Sequence, residues 1–478
     1  MKMNFFKILL WMLLLVMSAS NCKKDWLDTF PPDGPTPSNY YRTETEVIAG
    51  VNACYDVLSA QFDGLYGLGL DAVGNYCGDE CVGGRTAPRD FSPFEQFTMT
   101  GSEVTLQQIW RECYTGIFRC NLLLEKLEEA PIDPALKARA RAEATFLRGF
   151  YHFELMKCFG GVPVVTKTLS PDEARLPRNS RTETVAQIEA DFKVAASDLP
   201  LKSEYAAADL GRATKGATQA FLMKLYVFEK RWADAFAIGQ EVVASNEYAL
   251  FDDFNDNFST SKENGSESIF EVQCKTGTGT GEGNAHYDLE SFELTPNPRG
   301  YTQPFAELRN SYQNNAAGVK DPRRDFSIKV NIISSTLLAS FKYNRPQTPQ
   351  PAIQYDGELN FKLMRYADFL LLLAEAANET GNLVAAHTYT NMVRQRPNVN
   401  MPALAGLNQT TMRTAIQQER RWELAFEGHR FFDLVRWGTA GPVIRGQGRA
   451  FVDGKHELMP IPVNEITLNP KLEQNPNY

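Results

Sequence analysis

The residues best equipped for chemistry crowd into one stretch, Glu419–Gly438, reading ERRWELAFEGHRFFDLVRWG. Arg420, Glu423, Glu427 and Arg430 recur at spacings of 3, 4 and 3, which puts them on one stripe of a helix beside His429. Such a cluster of Arg, Glu and His is the first place to look for proton transfer. On another side, Leu424, Gly428, Phe431, Phe432 and Val435 form an apolar face. A helix with an apolar face and a paired charged stripe packs into a core without any catalytic role, and that explanation is the stronger. Gly428 costs roughly 1 kcal/mol in a helix interior relative to Ala, so it implies a close backbone approach or a bend.

Elsewhere, signals for catalysis are weak. The five His, at 152, 286, 387, 429 and 456, form no HExxH or other metal spacing. His152 and His429 lie in apolar stretches and are expected to be satisfied core residues. No GxSxG occurs, and KTGTGTGEGN (Lys275–Asn284) lacks the Lys-Ser/Thr of a phosphate-binding loop, so it reads as a mobile Gly/Thr loop. Glycan hydrolysis would need two carboxylates facing across a cleft about 5–10 Å wide, and abundance of Asp and Glu is not such a pair. Neither an enzyme nor a cofactor is expected.

Binding is easier to motivate. Sugar rings lay flat C–H faces on aromatic rings while Asp, Asn and Arg meet the hydroxyls. One ring burying roughly 50 Å² contributes about 1 kcal/mol, so several are needed. The first candidate group is Asp71, Tyr76, Asp79, Arg85, Phe91 and Phe94, around the Gly83-Gly84 turn. The second is Tyr287, Phe292, Tyr301 and Tyr312, flanking the Gly/Thr loop. Trp is scarce in such places: all six, at 11, 26, 110, 232, 422 and 437, fall in the leader, the following Pro-rich segment or helices.

These groups need elements to position them. Lys2 and Lys7 precede the apolar run Ile8–Met17, too short to span a bilayer, and Cys22 follows. This looks like a bacterial lipoprotein signal with Cys22 as the lipid-attachment residue, and two or more acyl chains would anchor it stably. Phe30–Ser38 is a Pro-rich tether. Helices are expected over Asn39–Ser59, Leu106–Glu129 and Pro134–Cys158, the last stopped by Gly160-Gly161 and Pro163, with a loop-rich region over Phe62–Phe97. Gly216–Ser245 and Arg365–Arg394 read as helix–turn–helix units, in which Ala235 and Ala386 take the place of the small packing residue of a tetratricopeptide repeat. Phe305–Gln354 is irregular, with short strand-like runs such as Phe326–Ile333. The net charge of −9 argues against nucleic acid as a partner. Apart from Cys22, the seven cysteines at 54, 77, 81, 113, 120, 158 and 274 include no CxxC pair and read as buried free thiols.

Taken in order, several segments resemble the SusD/RagB family of nutrient-binding outer-membrane lipoproteins. They are CKKDWLDTFPPDGPTPSNYY (Cys22–Tyr41), LRGFYHFELMKCFGGVPVV (Leu147–Val165), GRATKGATQAFLMKLYVFEKRWADA (Gly211–Ala235), RYADFLLLLAEAANE (Arg365–Glu379), the Glu419–Gly438 signature and LMPIPVNEITLNPKLEQNPNY (Leu458–Tyr478). The resemblance implies a mainly α fold of tetratricopeptide-like helical pairs with an irregular, loop-rich ligand-binding portion and few short strands. It divides the chain into a signal peptide (1–21), a lipidated Cys and tether (22–38), an N-terminal part with helical repeats (39–270) and a C-terminal part with variable loops and the final signature (271–478). It implies a cell-surface protein that binds oligosaccharide, or alternatively oligopeptide, as the lid of a SusC-like TonB-dependent transporter. A protein-binding tetratricopeptide scaffold is the remaining reading.

Overall fold

The computed structural model describes residues 40–83, 90–277, 282–286, 302–315, 317–330, 338–343, 353 and 355–478. The leader, Cys22 and the tether lie outside them.

The first helix, α1 (Glu44–Asp56), opens on a reciprocal cap: Thr43 accepts from the Glu46 amide while the Glu46 carboxylate accepts from the Thr43 amide. Two single-turn π-helices, Leu65–Gly69 and Ala72–Tyr76, follow, then β1 (Cys81–Gly83) and α2 (Ser92–Gln96). The stretch expected to be loop-rich, Phe62–Phe97, consists of such short elements and turns, and all of Leu65–Cys81 is buried. Glycine makes this possible by close approach. A Cβ on Gly67 would fall 1.6 Å from the Gln61 carbonyl oxygen.

Next come α3 (Val104–Leu127), α4 (Pro134–Phe159) and α5 (Arg181–Asp198), packed side by side. Asp133 caps α4 by accepting from Ala135 and Leu136, with Pro134 at the first position, where a missing N–H costs nothing. Gly160 ends it at φ 78°. The α4 face carries Phe146 and Phe150, which meet Phe192, Phe221 and Phe270 at ring separations of 5.1–6.0 Å, largely edge to face. His152 of α4 is fully buried. Its Nδ1 donates to the Arg148 carbonyl and its Nε2 accepts from Val165, so the ring is neutral, with its pKa lowered by burial to about 4.

The two helical hairpins expected from sequence are α6 (Lys215–Phe228) with α7 (Trp232–Ala244), and, after the short strands, α10 (Tyr366–Glu379) with α11 (Leu383–Arg394). Ala235 and Ala386 are both fully buried, as their repeat positions require. The hairpins meet where Gly239 of α7 lies against Leu373 of α10: a Cβ there would come within 2.6 Å of the leucine.

Between the hairpins lie β2 (Ser268–Val272), β3 (Thr302–Pro304), α8 (Ala306–Ser311), α9 (Pro322–Ser327), β4 (Ile328–Val330), β5 (Leu338–Ser340) and β6 (Phe361–Arg365). They pair as antiparallel two-stranded ladders, β1 with β3, β2 with β6, and β4 with β5. The run expected as a strand over Phe326–Ile333 is extended only across β4 among the described residues. The chain ends in α12 (Gln409–Glu423), α13 (Arg430–Trp437), α14 (Ala440–Gly446) and α15 (Val463–Leu468). Among the described residues no helix is long and apolar enough to cross a membrane. Cys54, Cys77, Cys81, Cys113, Cys120 and Cys158 are buried free thiols, and Cys274 is half-buried.

Candidate functional site

Glu419–Gly438 is not one helix. α12 stops at Glu423, the chain turns through Leu424–His429, and α13 starts at Arg430. Phe426 (φ 64°) and Gly428 (φ 75°) adopt the left-handed conformation there. The turn is held from far away in sequence. The Glu80 carboxylate accepts from the Phe426 amide at 3.1 Å, and the Asn75 side chain accepts from the Gly428 amide at 3.0 Å. Gly74 faces the turn so closely that a Cβ on it would sit 2.3 Å from the Gly428 carbonyl oxygen. The bend and the close approach implied by Gly428 are both present.

This turn distributes the four stripe residues among several ion clusters, Glu423 and Glu427 sharing Arg365. Glu423 meets Arg323, Arg365 and Arg396 at 2.9, 3.0 and 3.0 Å. Glu427 meets Lys342 and Arg365 at 2.7 and 2.8 Å. With Asp321, Glu267, Glu419 and Arg394, these groups form a buried network of five carboxylates and five cations. Burial pushes the Glu423 carboxyl up, but Arg396, Arg365 and Arg323 outweigh it and hold it well below the carboxylate range. Arg420 joins a second buried group with Asp368, Lys224, Asp433, Arg436 and Glu375, three of each sign. Burial lowers the His429 pKa to about 3, with Lys224 adding to the effect, so the ring is neutral at neutral pH. Arg430 pairs with Asp79 at 2.5 Å, and Arg421 bridges Asp79 and Glu307. Each acid of the two networks, and Asp79, already has its cation, and the segment is a lock between distant parts of the chain.

The aromatic candidates also turn inward. Tyr76 is fully buried, its ring 4.6 Å from Phe91 and its hydroxyl 3.2 Å from Thr302. Phe91 and Phe94 are 2% and 1% exposed. Tyr312 donates to the Trp422 carbonyl and stacks on that indole. Asp71 accepts from Asn75, and Asp79 is held by arginines. These six were candidates for ligand contact, and the structure instead buries them, the four rings in the core and the two carboxylates against Asn75, Arg421 and Arg430. Their aromatic density reads the same from sequence whether the rings face in or out. Arg85, Tyr287, Phe292, Tyr301 and Cys22 lie outside the described residues.

An open groove of about 850 Å³ lies on the flank where α1 ends. Asn52, Tyr55 and Asp56 of α1 form one side, with Leu58 and Gln61 beyond it; Leu210–Arg212 and Val272–Lys275 form the other. Tyr55 lines the groove with its hydroxyl spent: it donates to Glu143 and accepts from the Ala213 amide, each at 2.8 Å, and the Arg212 guanidinium lies over its ring. Next to Gln61, the half-buried rings of Phe62 and Tyr355 lie 4.5 Å apart. Asn52 and Gln61 supply amide donors and acceptors, the Gln273 amide is tied to Asn264, Asn360 and the Glu271 carbonyl, and Leu210 supplies exposed apolar surface. Such a surface can hydrogen-bond hydroxyls and take flat apolar faces. Sequence reasoning missed it because its walls come from four separated segments with no shared motif. Among the described residues no group of His, Cys, Asp and Glu could hold a metal ion.

The class is thus a mainly helical scaffold of paired hairpins, locked by buried ion networks and open in a polar groove on one flank. Residues 306–478 match the family model described as the SusD family, and residues 90–227 match one described as starch-binding associating with outer membrane. SusD-like protein P25 of Formosa agariphila is 26% identical, covering 96% of both chains. A laminarin binding SusD-like protein shares 29% identity at a TM-score of 0.80, covering 92% of this chain and all of that one. Surface glycan-binding protein A from Bacteroides uniformis shares 25% identity at a TM-score of 0.78, covering 91% and 99%. The chain belongs to the SusD/RagB family.

Proposed function

We propose that this protein is a surface glycan-binding lipoprotein, anchored in the outer membrane through Cys22 and facing the cell exterior. It captures an oligosaccharide and serves as the lid of a SusC-like TonB-dependent transporter, without catalysing a reaction on its ligand. The observation that carries this reading is the likeness, over more than nine-tenths of the chain, to a laminarin-binding relative. The lipoprotein-type leader ending at Cys22 supports the anchor. The groove supports the ligand class, since its amides and ring edges suit hydroxyl-rich chains.

Titration calorimetry of the mature protein against oligosaccharide and oligopeptide panels tests the ligand. Saturable glycan binding is expected, and saturation by peptides with no glycan response would overturn it. The lid role predicts that the transporter co-purifies with the protein from detergent-solubilised outer membranes. Cys22→Ala is expected to release the protein in soluble form, and membrane retention of that variant would refute the anchor.

A further inference from the structure

The groove on the α1 flank is lined by six charged side chains, and they cancel. Asp56, Glu271 and Glu282 oppose Arg119, Arg212 and Lys275. Most are already committed to partners. Arg119 pairs with Asp56 at 2.6 Å and donates to the Ala53 carbonyl. Arg212 pairs with Glu143 and Asp209 and donates to the Asn52 side-chain oxygen at 3.0 Å. Glu271 is buried against Lys362 at 2.5 Å. Lys275 and Glu282 stand together at the rim, where the Lys275 amide donates to the Glu282 carbonyl oxygen at 2.9 Å.

A sulfated or uronate chain entering this groove would need uncommitted cations. Apart from Lys275, which stands at the rim, the groove's cations are paired, and the chain would have to pull Arg119 or Arg212 from an existing carboxylate, leaving that carboxylate beside the new anion, where like charges brought together cost affinity. An uncharged chain meets no such cost. Its hydroxyls find the Asn52 and Gln61 amides, and the summed field of the groove neither draws nor repels it.

We infer that this groove is a binding site for uncharged oligosaccharides and discriminates against polyanionic glycans. The inference rests on the glycan-binding reading and adds both a location and a charge class to it. Ala208 lines the groove and is exposed on a short turn, so a larger side chain can fill the groove without entering the core. Calorimetry on the full mature chain, wild type and Ala208→Trp, would use a neutral β-glucan oligosaccharide, an oligouronate and a sulfated oligosaccharide as probes. Wild type is expected to bind the neutral probe, and Ala208→Trp to bind it roughly tenfold more weakly at unchanged thermal midpoint, as loss of a central contact surface requires. Neutral-probe affinity unchanged in Ala208→Trp would overturn the location, and tighter binding of either anionic probe by wild type would overturn the charge class. Both results leave the glycan-binding reading standing. Wild type that binds no glycan at all overturns that reading and the inference with it.

Discussion

The buried lock around Glu423 and the open groove around Asp56 use the same residue types for opposite ends. In the lock, Arg and Glu side chains are almost wholly removed from water and each glutamate touches two or three cations. In the groove, the Asp56 side chain is 64% exposed and Arg119 35%, one pair at 2.6 Å in contact with solvent. Charge balance holds in both, but its consequence differs. Dry charges must be paired or the fold fails, whereas wet charges are paired at little energetic stake and remain free to set specificity.

The largest effect follows from breaking the lock. Glu423→Gln leaves Arg323, Arg365 and Arg396 sharing one neutral amide, and removing one partner from a buried ion pair costs about 3–5 kcal/mol. Urea denaturation at pH 7 is the measurement, and a loss below about 1 kcal/mol would show that the network is not holding the fold. Acid tests the same point on the unmodified protein. Glu423 is held far below its ordinary value, and Asp433 at about 2, by neighbouring arginines that outweigh burial. A depressed carboxylate stabilises fully above its unfolded value near 4 and loses that contribution as pH falls through the folded one. Stability should therefore drop steeply below about pH 4. A flat profile down to about pH 2 would contradict the pairing.

The same contrast explains what could be read from sequence. Helix starts such as Asp133-Pro134 and the stop at Gly160-Gly161 are written within a few residues, and the helical hairpins repeat a local pattern, so both were legible. The break at Leu424–His429 was not. It depends on Glu80, 346 positions from Phe426, and on Asn75, 353 from Gly428. Only the glycine at 428 hinted at it. The inward turn of Tyr76, Phe91, Phe94 and Tyr312 was hidden for a related reason, because burial is set by the elements packed above a ring and not by the residues beside it. The groove left no trace at all, since α1, Arg119, Arg212 and β2 converge only in the fold.

Glu80 gives a smaller effect of opposite sign. Burial raises its carboxyl from 4.5 to about 7, against the pull of Arg430. A raised carboxylate destabilises little below pH 4.5, increasingly between there and about 7, and fully above it. Glu80→Gln keeps an acceptor for the Phe426 amide and removes that charge. It is expected to gain about 1 kcal/mol at pH 8 and nothing at pH 4. Equal shifts at both values would mean that the charge is not what burial opposes. The lock thus contains one member whose ionisation works against it.

The smallest effect on stability should come from the groove, and it bears most directly on function. Asp56→Asn removes an exposed partner of Arg119, and such pairs contribute about 0.2–1 kcal/mol. The folded state should barely notice, with a change in denaturation free energy below about 1 kcal/mol. The groove itself shifts from balanced to net positive, with Arg119 released from its carboxylate. Affinity for a sulfated oligosaccharide should then rise by a few-fold at low salt and fall back as ionic strength shortens the screening length to about 8 Å. A neutral oligosaccharide should keep its affinity, because the amides that meet its hydroxyls are untouched. If Asp56→Asn instead destabilised the protein as much as Glu423→Gln, the division between a dry structural lock and a wet, tunable groove would not hold.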